Sequence, residues 1–367
     1  MEVQGKKVVV WDLDYNTEIS IAKKTGFEFF PHYQLKGPDD LHEKNSSNFN
    51  VVFFQHFLIN NDITRKKDLS WADLVIHYTS ELIFGPWDLY QSVIKESVQN
   101  KNVVSVCSGF RHMDYYPEDK CFPFLQHFFT ITADSFSKIE IKHKDVRKKK
   151  FDVLMGRSKP HRVFVFESLR ENQMLNHCFV NITKNSTNNF GITFRSADID
   201  FYEDQNIIPM IDHDNNYSRN INGLVNGYTI SQHIPVGIFD NSWFSIIAET
   251  NWNESTFFSE KTAKAMLAKR IFVLFGSQGQ LALLRKLGYR TFDAIIDESY
   301  DLEKNDHKRW KKAFEQVLFL YKSDPVRIYE KSLAIIEHNR RILLDQPTRF
   351  RSLSNFLNSV IHKHIGK

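Results

Sequence analysis

Along the first third of the chain, apolar residues gather in short blocks separated by polar stretches. Residues 7–11 form one block around Val8, Val9 and Val10, and 50–57, 74–78, 103–107 and 128–132 form others. Between them, 17–24 and 86–99 carry helical spacing, the first ending at Gly26. Blocks of this length, each running into polar residues, predict strands of a parallel sheet joined by crossover helices. In such sheets ligands sit where loops leave the carboxyl ends of the strands.

The alternation restarts near residue 151. A strand at 151–155 leads through Gly156-Arg157-Ser158-Lys159-Pro160 into a helix at 161–172, and 179–182 is a further strand. Between 183 and 228 the chain is rich in Asn, Asp and Ser without a clear period, which reads as long loops. Order returns with a strand at 244–249, a helix at 259–270, a strand at 271–275 and a helix at 280–287. From about residue 307 the spacing of Phe314, Val317, Leu318 and Tyr321 is helical. The expectation is an α/β protein with two Rossmann-like domains, 1–149 and 150–305, and a helical C-terminal extension at 306–367. A length of 367 residues exceeds what a single hydrophobic core usually serves, in keeping with two domains.

Composition excludes several classes. Hydrophobic residues at 42% and charged residues at 25% are ordinary for a globular chain and argue against wholesale disorder. The 32 Phe fall largely in strand-like runs, where core packing accounts for them. A net charge of +4 is too small to argue for nucleic acid on its own, although seven Lys and Arg crowd into 138–150. Cys107, Cys121 and Cys178 have no close pair, which fits neither a disulfide framework nor a zinc site and suits a reducing compartment. The N-terminus enters a strand with no signal-peptide pattern, and no apolar run approaches the ~20 residues that cross a bilayer. A cytoplasmic protein (host cytoplasm if viral) without membrane insertion is expected.

The chemically informative stretch is 242–301. An apolar strand delivers Glu249-Thr250 at its carboxyl end, and a polar loop then leads to Ser259-Glu260-Lys261-Thr262. Ser259 suits an N-cap and Glu260 the positive end of a helix. Lys261 and Lys264 lie near that helix start, whose free N–H groups favour an anion. A diphosphate leaving group needs fixed donors and a cation where negative charge develops. Glu249 or Glu260 would accept from ribose hydroxyls. A capped surface helix explains the Ser-Glu-Lys run equally well. Gly276 and Gly279 mark a strand-to-helix turn, where glycine allows close backbone approach to a ligand or simply a tight turn.

The order of residues here is familiar. Ile234-Pro235, Ser242, Glu249, Phe258-Ser259-Glu260-Lys261-Thr262, Phe272 to Gly276, Leu284-Arg285, Gly288 to Phe292 and Asp297 to Asp301 follow one another in a pattern that resembles phage and bacterial glycosyltransferase-like proteins. The pattern is similar, more distantly, to the donor-binding segment of the fucosyltransferases. About sixty residues carry the resemblance, extended to 151–169 by Gly156-Arg157 and His161-Arg162. It implies a GT-B-like transferase with a UDP- or GDP-sugar donor held by the C-terminal domain, the acceptor facing the N-terminal one, and no tightly bound cofactor. Lys261 would touch the pyrophosphate, Glu249 or Glu260 the ribose, and Arg157 would be a second phosphate-side cation with His161-Arg162 at the following helix start. Ser259, Thr262 and Gly276 complete the implied donor set. The helix continues Ala263-Lys264-Ala265-Met266, where that family favours a bulkier residue and often a Pro.

An inverting transfer also needs a base at the carboxyl ends of the N-terminal strands. Asp14 after the first strand, and His112 and Asp114 after 103–107, are the chosen candidates. Val8 to Thr17, with Asp12 and Asp14, is also similar to the first motif of haloacid-dehalogenase-type phosphatases. The magnesium-binding pair of that family would have to be Asp212 and Asp214, where Pro209 spoils the preceding strand. A catalytically inactive nucleotide-sugar-binding module is the third reading. The acceptor is a hydroxyl on DNA, such as a hydroxymethylated pyrimidine of a phage, or on a glycan or lipopolysaccharide. Lys148, Lys149 and Tyr115 are the acceptor-side candidates: cations for a backbone and a ring to stack on an extruded base. No metal ligand set is assigned.

Overall fold

The computed structural model describes residues 2–3, 6–12, 29–31, 48–55, 69–79, 92, 94–96, 98–107, 109–110, 121–123, 145–156, 159–182, 224–225, 228–229, 236–253 and 256–365. Among these the chain is α/β, built on parallel sheets, and divides into two compact units. Unit 1 comprises Met1–Gln126 and Asp345–Lys367, and unit 2 comprises His127–Leu344. The helical stretch that the sequence presents as one extension is therefore shared between the units.

Unit 1 holds β1 (Glu2–Val3), β2 (Lys6–Asp12), β3 (Phe29–Pro31), β4 (Asn48–Gln55), β5 (Leu74–Thr79), β6 (Val103–Cys107), β7 (Gly109–Phe110) and β8 (Cys121–Pro123). Its sheet runs β2-β4-β5-β6-β8, all parallel, with antiparallel β1 and parallel β3 both paired to β2. From β2 the chain goes out to β3 and returns to β4, so strand order reverses at the carboxyl end of β2. Asp14 follows that end, but it lies outside the described residues, as do the elements expected at 17–24 and 128–132.

Unit 2 contains β9 (Lys149–Gly156), β10 (Cys178–Ile182), β11 (Leu224–Val225), β12 (Tyr228–Thr229), β13 (Ser242–Ala248), β14 (Thr256–Phe257) and β15 (Ile271–Phe275). The main sheet has the order β10-β9-β13-β15 and is parallel throughout. Every residue of β15 is buried and all but Trp243 of β13, as expected of strands covered on both faces. Its helices are α1 (Pro160–Glu171), α2 (Val236–Asp240), α3 (Glu260–Leu267), α4 (Gln280–Lys286), α5 (Asp306–Lys322) and α6 (Pro325–Leu344). A seventh, α7 (Gln346–Ile365), belongs to unit 1. Its apolar residues Phe350, Leu353, Leu357, Val360 and Ile361 recur at helical spacing and pack on the β2, β4, β5 and β6 core. No described helix is long and apolar enough to cross a membrane.

The helix expected at 259–270 stops three residues early, and the reason is local. Arg270 N–H donates to Ala265 O at 2.9 Å and Lys269 N–H to Met266 O at 3.1 Å, the paired closure of a Schellman turn. Lys269 occupies the left-handed position at φ 55°, where glycine is usual. The turn sends Arg270 inward, fully buried between β9 and β13. Its guanidinium donates to Asp152 Oδ2 at 2.8 Å, Ser242 Oγ at 2.8 Å, Ser245 Oγ at 3.2 Å and the Phe239 carbonyl at 3.0 Å. Ser242 and Ser245 hydroxyls in turn donate to the same Asp152 oxygen.

Removing one member of a buried pair strands the other, at a cost of about 3–5 kcal/mol. Arg270→Leu is therefore expected to lose stability on that scale in urea unfolding. Arg270→Leu combined with Asp152→Leu should recover much of the loss. Equal stability of Arg270→Leu and wild type would count against this network.

Candidate functional site

Strand order in the second sheet reverses at β9, which lies between β10, made next, and β13, made later. Such reversals open a crevice at the carboxyl ends of the central strands. Four chain segments meet there: the start of α1 after β9, the 249–252 loop after β13, the start of α3, and the start of α5.

Glu249 leaves β13 fully buried. Its own N–H donates to Phe275 O at 3.0 Å, continuing the ladder to β15. Its carboxylate accepts from Ser259 Oγ at 2.5 Å, Ser259 N–H at 3.2 Å, Thr250 N–H at 3.1 Å and the Thr262 hydroxyl. A carboxylate at the positive end of a helix is favourable, and here it fastens α3 to the end of β13. Ser259 caps α3 as the sequence predicts, accepting from Lys261 N–H at 3.3 Å. Glu249, Ser259 and Thr262 thus come together as a buried framework.

Glu260 and Lys261 are placed differently. Their side chains keep 18% and 19% exposure, and Lys261 Nζ lies 3.1 Å from Glu260 Oε1. Burial raises the Glu260 pKa, but the Lys261 and Lys264 ammonium groups outweigh it and hold the carboxyl at about 2. Lys264, one turn on, is nearly buried. Burial lowers its pKa to about 8, against the pull of Glu260 and with the push of Lys261. Two lysines share one carboxylate at the positive end of a helix.

Three side chains from the start of α1 grip the backbone after β13. Lys159 Nζ donates to Thr250 O at 2.6 Å, His161 Nε2 to Glu249 O at 2.7 Å, and Arg162 to Ala248 O and Glu249 O at 3.2 and 3.0 Å. Since Nε2 carries the proton toward a carbonyl, the buried Nδ1 is the bare nitrogen of a neutral ring. Burial, then the Arg162 charge, push the His161 pKa well below its usual value. Arg162 is lowered to about 10 by burial, with Glu249 and Glu260 opposing. The sequence offers His161 and Arg162 as donor contacts; in the structure they position the strand end.

Gly276 is explained by the protein itself. A β-carbon there would stand 1.8 Å from Gln280 Oε1, which accepts from Ser277 N–H, while Gln280 Nε2 donates to Phe257 O. The start of α4 is likewise filled, since Asp301 accepts from Leu281 and Ala282 N–H at 3.0 Å each.

The basic strip is partly committed. Arg147 donates to Ser242 O and lies 4.0 Å from the Trp243 ring centroid. Lys149 donates to Asn176 O at 2.6 Å, Lys150 donates to Ser323 O at 2.9 Å, and Lys148 is exposed. Arg157, Asp14, His112, Asp114 and Tyr115 lie outside the described residues. Among the described residues no three His, Cys, Asp or Glu side chains gather as a metal site.

Sequence reasoning overlooked Lys159 and Trp252. Trp252 is half-buried, and the His161 ring stacks on it at 5.2 Å and 20°. A Trp three residues past the strand-end Glu was the available signal. No protein-family model matches the chain, and no curated protein matches it.

Lys264 gives this site a pH signature. Its pKa is lowered on folding, so the unfolded chain binds the extra proton between about 8 and 10.5 and stability rises with pH across that window. The rise is expected to be about 3 kcal/mol at most. Urea unfolding at pH 8, 9 and 10 should show it in wild type and not in Lys264→Met; parallel curves would remove the assignment.

Proposed function

We propose that the protein is a glycosyltransferase that takes a sugar from a UDP- or GDP-sugar and places it on an acceptor hydroxyl. The observation that supports this is the start of α3, where Lys261 and Lys264 face a single shared carboxylate beside the strand reversal of the second sheet. The arrangement is left with surplus positive charge at a helix N-terminus, the electrostatic need of a nucleoside diphosphate leaving group.

Between the two carboxylates that the sequence leaves open for the ribose, Glu260 is the better placed. Both Glu249 oxygens already accept from the protein and the residue is fully buried, whereas Glu260 remains partly exposed. Lys261 then meets the pyrophosphate, and Arg157 supplies the further phosphate-side cation implied by the family resemblance.

In the transfer, the acceptor oxygen forms a bond to the anomeric carbon as the bond from that carbon to the phosphate oxygen breaks. The acceptor proton passes to a base drawn from Asp14, His112 and Asp114, and the electron pair leaves with the nucleoside diphosphate. In this reading the two α/β units stand for the two Rossmann-like domains of a GT-B-like enzyme. The acceptor hydroxyl belongs to a hydroxymethylated pyrimidine in DNA or to a glycan. For DNA, the 147–150 strip contributes chiefly through Lys148, because its neighbours already hold internal partners.

Thermal melting with UDP, GDP, ADP, CDP and TDP, with and without magnesium, tests the reading. One nucleotide at a hundred times its Kd should add about 2.7 kcal/mol of stability. Lys261→Ala should abolish that shift while melting as wild type does in buffer alone. No shift with any nucleotide would overturn the proposal, and a Lys261→Ala protein that fails to fold would make Lys261 structural.

A further inference from the structure

Trp252 stands out among the aromatic residues of unit 2. Its neighbour Trp310 is buried, as a core indole should be, whereas Trp252 keeps part of its surface open at the carboxyl edge of the sheet. It is nevertheless held at two points. Arg309 Nη2 donates to its carbonyl at 2.6 Å, and the His161 ring backs the indole in a stacked arrangement. That ring is uncharged, since burial and the Arg162 guanidinium disfavour its proton, and it is fixed through Nε2 to Glu249 O. Cations ring the platform. Lys159 Nζ lies 5.5 Å from the indole centroid, and the charges of Lys159 and Lys261 both reach the His161 ring.

A rigid, partly open aromatic face beside the two ammonium groups has the features a flat ring bearing phosphates requires. Stacking on a preorganised ring avoids the ordering cost that weakens contacts with mobile side chains. It tolerates any base, because every base has a π-face.

We infer that Trp252 is the base-stacking residue of the nucleotide site, taking the nucleobase against its indole while the attached phosphates extend toward Lys261. This rests on the donor site proposed above and adds to it the subsite that reads the flat end of the ligand. Aromatic–base stacking is commonly worth a tenfold change in affinity or more.

Calorimetric titration of the full chain with UDP, GDP and inorganic pyrophosphate separates the two ideas. Trp252→Ala should weaken the nucleoside diphosphate that binds wild type by about tenfold or more and leave pyrophosphate unchanged. Trp252→Phe should stay within a few-fold of wild type. If the Ala variant melts early, Trp252→Leu carries the same comparison. Parallel weakening of pyrophosphate would show that Trp252 only shapes the loop, and the inference would fall. So would equal affinity of wild type for pyrophosphate and for every nucleoside diphosphate. A loss confined to the sugar-bearing donor would assign the indole to the sugar instead. Binding of neither pyrophosphate nor any nucleotide by wild type would remove the donor site itself.

Discussion

Arg270 is fully buried, and its guanidinium is divided among a carboxylate, two hydroxyls and backbone carbonyls. An interior charge must be answered by groups already in place, and here those groups come from β9, from β13 and from the turn after α2. The α3–β15 turn is thereby locked to the other two strands. Strain at Lys269, held in the left-handed region, is sustained because the inward path of Arg270 is so heavily determined. Asp152 is pulled both ways: burial raises its pKa, while Arg270 and the two serine hydroxyls lower it.

Glu249 plays the corresponding part at the other end of β13. One carboxylate collects the donors of Thr250, Ser259 and Thr262, and three α1 side chains take the carbonyls of 248–250. With both ends of the βαβ unit fixed, α3 has little freedom to slide. Glu260 and Lys261 are presented from a rigid base, and it is their surroundings, not their mobility, that set their charge states. This division separates buried framework from partly exposed chemistry within four consecutive residues.

Much of the second sheet was legible in the sequence. The apolar blocks at 151–155 and 271–275 were long enough and uninterrupted enough to read as doubly covered strands, and Ser259 announced the start of α3. The end of α3 was not legible, because a Schellman turn normally advertises itself with glycine and Lys269 gives no such sign. At the site, residue type marked Glu249, Glu260, His161 and Arg162 as polar groups near a strand end. It did not say which would face inward. That depends on which donors happen to surround each side chain, and those come from segments separated by ten to ninety residues. Gly276 illustrates the same limit: the glycine was visible, while the Gln280 side chain that requires it was only a helix residue.

Unit 1 is built from the two ends of the chain, and α7 supplies one wall of its core. On the ribosome, the strands of its sheet are made first and that wall last, after the whole of unit 2. At about 5–20 residues per second, the interval amounts to tens of seconds. Throughout it the apolar face around Val51, Ile76 and Val106 lacks its covering helix, while unit 2 already has its full sequence. The half that begins first is the half that finishes last, and its exposed sheet is the segment of the nascent chain most in need of a chaperone.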